Sequence, residues 1–130
     1  MSASRIAPRV LVADDDPLVL QLMTMVFSSG GCAVTGCSNG DAALAAIRER
    51  GYRLIVLDYR MPGRTGLDVV RELRSGDDTT PILLVSGSFT DDIRKECAGY
   101  ARLQVLEKPF TTAALRAAMA WAVRESPGRP

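Results

Sequence analysis

The side chains in this sequence with the means to do chemistry fall into four short segments. Asp14, Asp15 and Asp16 follow the apolar run 10–13, and Asp58 follows the run 54–57. Ser86, Gly87 and Ser88 follow the run 82–85, while Glu107, Lys108 and Pro109 follow 103–106. An acid that ends a buried apolar strand is costly without a partner. If Asp14, Asp15 and Asp58 converge, their like charges raise one another's pKa values unless something offsets them. Lys108 supplies one positive charge, and a divalent cation supplies the remaining two. Mg²⁺ suits such a place, because it takes oxygen ligands and often uses one or two carboxylates with water and a substrate phosphate. Under those conditions Asp58 is a nucleophile towards phosphorus and forms an acyl phosphate. Lys108 and the Ser86 hydroxyl would each pair with a phosphoryl oxygen, so that catalysis is positioning and charge stabilisation.

Other chemistries are poorly supplied. The sequence has no histidine, and Cys32, Cys37 and Cys97 form no CxxC pair. The usual Cys/His zinc sets and the Ser-His and Cys-His nucleophiles are therefore missing. The three cysteines read as small, largely buried residues of a reducing compartment. The acidic first loop also lacks the glycines and free N–H groups of a bare phosphate cradle. With 16 basic and 15 acidic side chains the net charge is +1, which gives no reason to expect nucleic acid or an anionic membrane as partner. The apolar stretch 18–27 is broken by Gln21 and Thr24 and is too short to span a bilayer. The run 10–13 precedes three acids and makes no signal-peptide core, so a cytoplasmic location is expected.

The elements that must position these residues alternate regularly. Strands are expected over 10–13, 32–36, 54–57, 82–85 and 103–106, three of them nearly continuous Val, Ile and Leu as in a buried parallel sheet. Asp16 before Pro17 is a helix cap, with Leu18, Leu22 and Val26 recurring behind it. Asn39 caps a second helix whose inner stripe is Ala43, Leu44 and Ile47, with Gly51 past its end. Thr65 and Asp68 form a capping-box pattern before Val69, Val70 and Leu73. Thr90 opens a fourth helix carrying Ile93 and Cys97. Thr111 opens the last, with Leu115, Ala118, Met119 and Ala122 facing inward. Asp91 and Asp92 read as first-turn acids favoured by the helix dipole, and Trp121 as amphipathic packing. The pattern is (βα)₅, an α/β doubly wound sandwich with helices on both faces of a parallel sheet. If the strand order is 2-1-3-4-5, the acids meet at the carboxyl rim where ligands bind in such sheets. The expected division is an arm over 1–8, one domain over 9–124, and a tail or truncated linker over 125–130.

Four segments, Val-Leu-Val-Ala-Asp-Asp-Asp-Pro at 10–17, Val-Leu-Asp-Tyr-Arg-Met-Pro-Gly at 56–63, Val-Ser-Gly at 85–87 and Glu-Lys-Pro-Phe at 107–110, resemble the response-regulator receiver domain of two-component signalling. The resemblance covers nearly the whole chain and implies the CheY-like, flavodoxin-like fold. It implies Asp58 as phosphoacceptor, Asp15 as the direct metal-binding acid and Asp14 as one acting partly through water. The backbone carbonyl of Arg60 matches the third protein ligand of the metal, Mg²⁺ with Mn²⁺ able to substitute. Ser86 matches the hydroxyl that moves towards the phosphoryl group, and Lys108 the lysine that binds it, its bond to Pro109 being cis. Val105 stands where many receivers carry a switching aromatic, Tyr100 lies too far back to replace it, and Arg60 and Ser88 occupy positions associated with phosphoryl lifetime. The implied partners are a sensor histidine kinase or histidine phosphotransfer protein, with a phosphorylation-dependent dimer or target protein beyond. The chemistry is self-directed, so no turnover enzyme is expected. Three other readings are weaker. An unphosphorylated interaction module leaves the acid set without purpose. An aspartyl-nucleophile phosphatase typically has a second acid two residues after the nucleophile, where this chain has Arg60. An FMN carrier fails on the acidic first loop.

Overall fold

The computed structural model describes residues 7–125. Its elements are β1 (Arg9–Ala13), α1 (Pro17–Ser29), β2 (Ala33–Cys37), α2 (Gly40–Ile47), β3 (Tyr52–Asp58), α3 (Gly66–Ser75), β4 (Ile82–Ser86), α4 (Asp91–Ala98), β5 (Leu103–Glu107) and α5 (Thr112–Glu125). The strands are all parallel, in the order β2-β1-β3-β4-β5, as expected for a doubly wound sheet. The arm expected over 1–8 and the tail expected over 125–130 lie, apart from Ala7, Pro8 and Glu125, outside the described residues.

Strand order decides burial. The central strands β1, β3 and β4 are buried along almost their whole length, whereas the edge strands β2 and β5 are only partly covered. One face of the sheet packs on α2, α3 and α4 through Leu44, Ile47, Leu67, Val70, Leu73 and Cys97. The other packs on α1 and α5 through Met23, Phe27, Leu115, Ala118 and Ala122. Three strands run one residue further than their apolar pattern, to Asp58, Ser86 and Glu107, and β2 is shifted by one so that Cys32 precedes it. The backbone ladder continues because main-chain N–H and C=O groups need partners whatever the side chain. Among the described residues no helix is long and apolar enough to cross a membrane.

The helix starts follow the expected caps. The Asp16 carboxylate accepts from Leu18 N, Asn39 from Ala42 N, and Thr90 from Ile93 N. Thr65 and Asp68 form a reciprocal capping box, and Thr111 Oγ1 accepts from Ala114 N. The chain leaves α2 through left-handed Arg50 and Gly51, with φ of 68° and 93°.

The recurring row Leu18, Leu22 and Val26 does not mark one buried face of α1, since only Val26 is buried. Leu18 and Leu22 are 75% and 42% exposed, and with Met25 at 58% they form an outward row at i, i+4 and i+7. Its buried contacts come from Met23, Val26 and Phe27, with Val19 and Leu20 partly covered. The run 18–27 is apolar nearly all the way round, so spacing alone does not select the inner face. That choice falls to the Asp16 cap and the β1–α1 turn.

Candidate functional site

The buried polar or charged residues of the described chain are Asp14, Asp58 and Ser86, with 0%, 4% and 3% exposure. All three stand at the carboxyl rim. Parallel register carries them there: Ala13 is level with Leu57, Asp58 with Val85, and Ser86 with Glu107. Asp14 follows β1 directly, and its N–H donates to the Cys37 carbonyl at the end of β2. The chain then turns over Asp14, whose Oδ1 accepts from Asp16 N at 2.9 Å. Asp15 stays exposed beside it. Asp14, Asp15 and Asp58 each offer a carboxylate oxygen within 4.8 Å of the others.

Lys108 reaches this group from the end of β5. Its Nζ donates to Asp14 Oδ2 at 3.1 Å and lies 3.3 Å from Asp58 Oδ1. The Lys108 N–H donates to the Ser86 carbonyl at 2.8 Å, which ties the β5–α5 turn to the end of β4. The Lys108–Pro109 peptide is cis, as the resemblance implied. Burial works to lower the lysine pKa, but the bonds and charges of Asp14 and Asp58 outweigh it and hold the ammonium above its ordinary value. Asp58 is pushed the other way from an ordinary carboxylate, up to about 6. Burial is the largest cause and Asp14 adds to it, with Lys108 opposing and Asp15 a smaller contributor. One lysine thus undercompensates three acids. The donor set, hard oxygens with surplus negative charge, fits Mg²⁺ or Mn²⁺.

Gly66 accounts for how close α3 comes to the acid. A Cβ there would stand 2.4 Å from the Asp58 carbonyl oxygen and 2.8 Å from Leu84 Cδ1. The Gly66 N–H donates to the Tyr59 carbonyl, so the loop between them closes tightly. Met61 is buried and pins this loop, while the Arg60 side chain is exposed. Sequence reasoning missed the role of Gly66, although a glycine opening a helix immediately after a capping threonine was a usable signal.

The Ser86 hydroxyl is hydrogen-bonded to Ser88 and not to the acids. It donates to the Ser88 carbonyl at 2.9 Å and accepts from Ser88 N at 3.3 Å, closing its own turn. Tyr100 is engaged elsewhere, donating to Glu96 Oε2 at 2.8 Å. Val105 sits level with Leu84 and is partly buried.

A doubly wound α/β domain whose ligand rim is acidic rather than glycine-rich is a restricted class, and comparison with known proteins narrows it further. The family model for the response regulator receiver domain matches residues 10–120. The chain belongs to that family. Similar curated proteins include the transcriptional regulatory protein YkoG of Bacillus subtilis, 31% identical over 90% of this chain and 51% of that protein. The DNA-binding response regulator MtrA of Mycolicibacterium smegmatis is 35% identical over 65% of this chain and 37% of its own length. The chain therefore spans about half or less of these relatives. Among solved structures, the signal receiver domain of the response regulator NarL from Mycobacterium tuberculosis superposes with a TM-score of 0.82 at 30% identity, covering 94% of this chain and all of that one. A Francisella response regulator receiver domain gives 0.81 at 29% identity, covering 90% and 97%.

Proposed function

We propose that this chain is a phosphorylatable switch of a two-component or phosphorelay system, working in the cytoplasm. Asp58 takes a phosphoryl group from a phosphohistidine on a sensor histidine kinase or histidine phosphotransfer protein. A carboxylate oxygen of Asp58 attacks phosphorus and the phosphorus–nitrogen bond breaks. The electron pair returns to the donor imidazole, and Asp58 becomes an acyl phosphate. Mg²⁺, or Mn²⁺ in its place, would be held by Asp14, Asp15, Asp58 and the Arg60 backbone carbonyl, and would supply Lewis-acid neutralisation of the phosphoryl oxygens.

The chain's own residues do the rest. Asp14 accepts from Asp16 N and from Lys108, so it is fixed before any ligand arrives. Lys108, already 3.3 Å from Asp58 Oδ1, shifts its bond to a phosphoryl oxygen as charge moves outward. Ser86 has to release Ser88 before its hydroxyl can donate to another oxygen. No general base is required, because the nucleophile is already a carboxylate at neutral pH despite its raised pKa. The protein acts on itself and turns over no external substrate. It reads no nucleic acid through this domain and contacts no membrane; its output is a changed binding surface for a dimer partner or target. The apolar row Leu18, Leu22 and Met25, beginning next to Asp14–Asp16, gives a donor protein something to bind beside the acids.

The observation that carries this reading is the convergence of the buried polar residues Asp14, Asp58 and Ser86 on one rim, with Lys108 bridging the two acids. Incubation with Mg²⁺ and a small phosphodonor should add one phosphoryl group, acid-stable and hydroxylamine-labile, and Asp58→Asn should prevent it. A folded wild-type protein that gains no adduct sinks the proposal.

A further inference from the structure

Phosphorylation at Asp58 has to be felt elsewhere to serve as a signal, and β5 has no aromatic side chain to carry it, since Val105 is small. We infer that Arg94 performs the coupling in this chain, tying the Ser86–Ser88 turn and the end of β5 to helix α4. The inference rests on the phosphoacceptor reading above and deepens it.

The contacts form a closed circuit around the rim. The Ser86 hydroxyl is bonded to both backbone groups of Ser88. Phe89 follows at once, buried among the side chains beneath α4. The Arg94 guanidinium lies over the Phe89 ring, 5.4 Å from its centre. Arg94 Nη2 also donates to Glu107 Oε2. Glu107 is the last residue of β5 and directly precedes Lys108, whose N–H returns to the Ser86 carbonyl. One side chain of α4 thus touches both segments that the phosphoryl group engages, the Ser86 turn and the Lys108 strand end.

The turn supplies the two-state element that coupling needs. The Ser86 hydroxyl cannot close its turn with Ser88 and donate to a phosphoryl oxygen in one geometry, since it carries a single hydrogen. When it turns, the Ser88 carbonyl loses its donor and Phe89 is held less firmly from that side. Any shift of Phe89 then alters the balance between the cation–π contact and the ion pair of Arg94. The Arg94 and Glu107 side chains are 46% and 52% exposed, so the pair forms and breaks cheaply. A weak tie of this kind transmits a shift without holding the fold together.

The test uses the full chain with Mg²⁺ and a small phosphodonor, comparing wild type, Arg94→Ala and Glu107→Gln. Hydrogen exchange of the α4 amides is read before and after phosphorylation, with the adduct quantified by intact mass. Wild-type α4 exchange is expected to change roughly tenfold on phosphorylation, and both variants to retain at most about a twofold change. Their adduct levels should stay within about twofold of wild type, because neither residue touches the acids. A wild-type-sized α4 response in phosphorylated Arg94→Ala and Glu107→Gln overturns the inference and leaves the site reading intact. So does a phosphorylated wild type whose α4 is unmoved. A wild type that takes no phosphoryl group overturns both. Glu107→Gln preserves side-chain volume, so a misfolded Arg94→Ala leaves the question decidable.

Discussion

Replacing Asp58 by Asn should stabilise the metal-free protein while removing its response to Mg²⁺. The Asp58 carboxyl is raised to about 6, mainly by burial and by Asp14, against an ordinary 3.8. A folded pKa above the unfolded value means that the native state binds the proton more tightly. The stability contributed by the group is complete below pH 3.8 and is lost as pH rises towards 6. Above that window the ionised carboxylate costs the fold about 3 kcal/mol. Asn keeps the shape and an acceptor for Lys108 without the charge. In EDTA near pH 7.5 the variant should therefore be about 3 kcal/mol more stable, roughly 10 °C in Tm for a domain of this size. Near pH 4.5 the advantage should shrink to about 1 kcal/mol, since much of the native carboxyl is then protonated.

Metal brings the two proteins nearly level. At a hundredfold excess over its Kd, Mg²⁺ stabilises wild type by about 2.7 kcal/mol, and the Asn variant should gain little. Lys108→Met is the opposite control: it leaves Asp14 and Asp58 buried without their cation, so the metal-free protein should lose about 3 kcal/mol. The assay is urea denaturation followed by Trp121 fluorescence at both pH values, with and without Mg²⁺. If Asp58→Asn is no more stable than wild type in EDTA at neutral pH, the argument from burial and like charge is wrong. An undiminished Mg²⁺ response in the variant would refute the assignment of Asp58 to the metal.

Other perturbations test the scaffold and the outer surface. Gly66→Ala sets a methyl group against the Asp58 carbonyl, which is backbone and cannot yield; a loss of about 3 kcal/mol and slower phosphorylation are expected from denaturation and adduct assays. Thr65→Ala removes half of the α3 capping box and should cost about 1–2 kcal/mol in urea titration, with phosphorylation by a small donor preserved. Leu18→Ser with Met25→Ser changes exposed side chains and should alter stability by under about 0.5 kcal/mol. If α1 contacts the donor, that pair should slow phosphotransfer from a phosphohistidine protein roughly tenfold, a loss of about 1.4 kcal/mol, and leave the small-donor rate unchanged.

How much of this was legible beforehand depended on what kind of constraint each residue obeys. Asp14, Asp15, Asp58 and Lys108 stood out because charged groups at the ends of apolar strands demand a reason, and parallel strands bring such ends together. The caps at Asp16, Asn39, Thr65 and Thr90 were legible because capping acts within three residues. The inner face of α1 was not, since Leu18, Val19, Leu22, Met23 and Met25 are all apolar and hydrophobicity carries no direction there. Nor was the Ser86 hydroxyl, whose orientation is decided by a turn with Ser88 rather than by the acids it was grouped with. Gly66 was overlooked because its meaning lies in a neighbour eight positions earlier, the Asp58 carbonyl.

The contacts least legible in sequence are those that would make the domain a signalling device. An acid rim only requires that certain oxygens converge, and strand order with strand-end composition is enough to arrange that. Conveying its state requires a side chain that touches two moving segments at once, which depends on helix pitch, loop path and rotamer together. Arg94 meets Glu107 thirteen positions away and Phe89 five positions before it, and neither spacing is a pattern. The ion pair is half-exposed and weak, so it contributes little to stability and leaves no mark in the apolar periodicity from which a fold is read. A device built from such contacts can differ between chains that share the same rim.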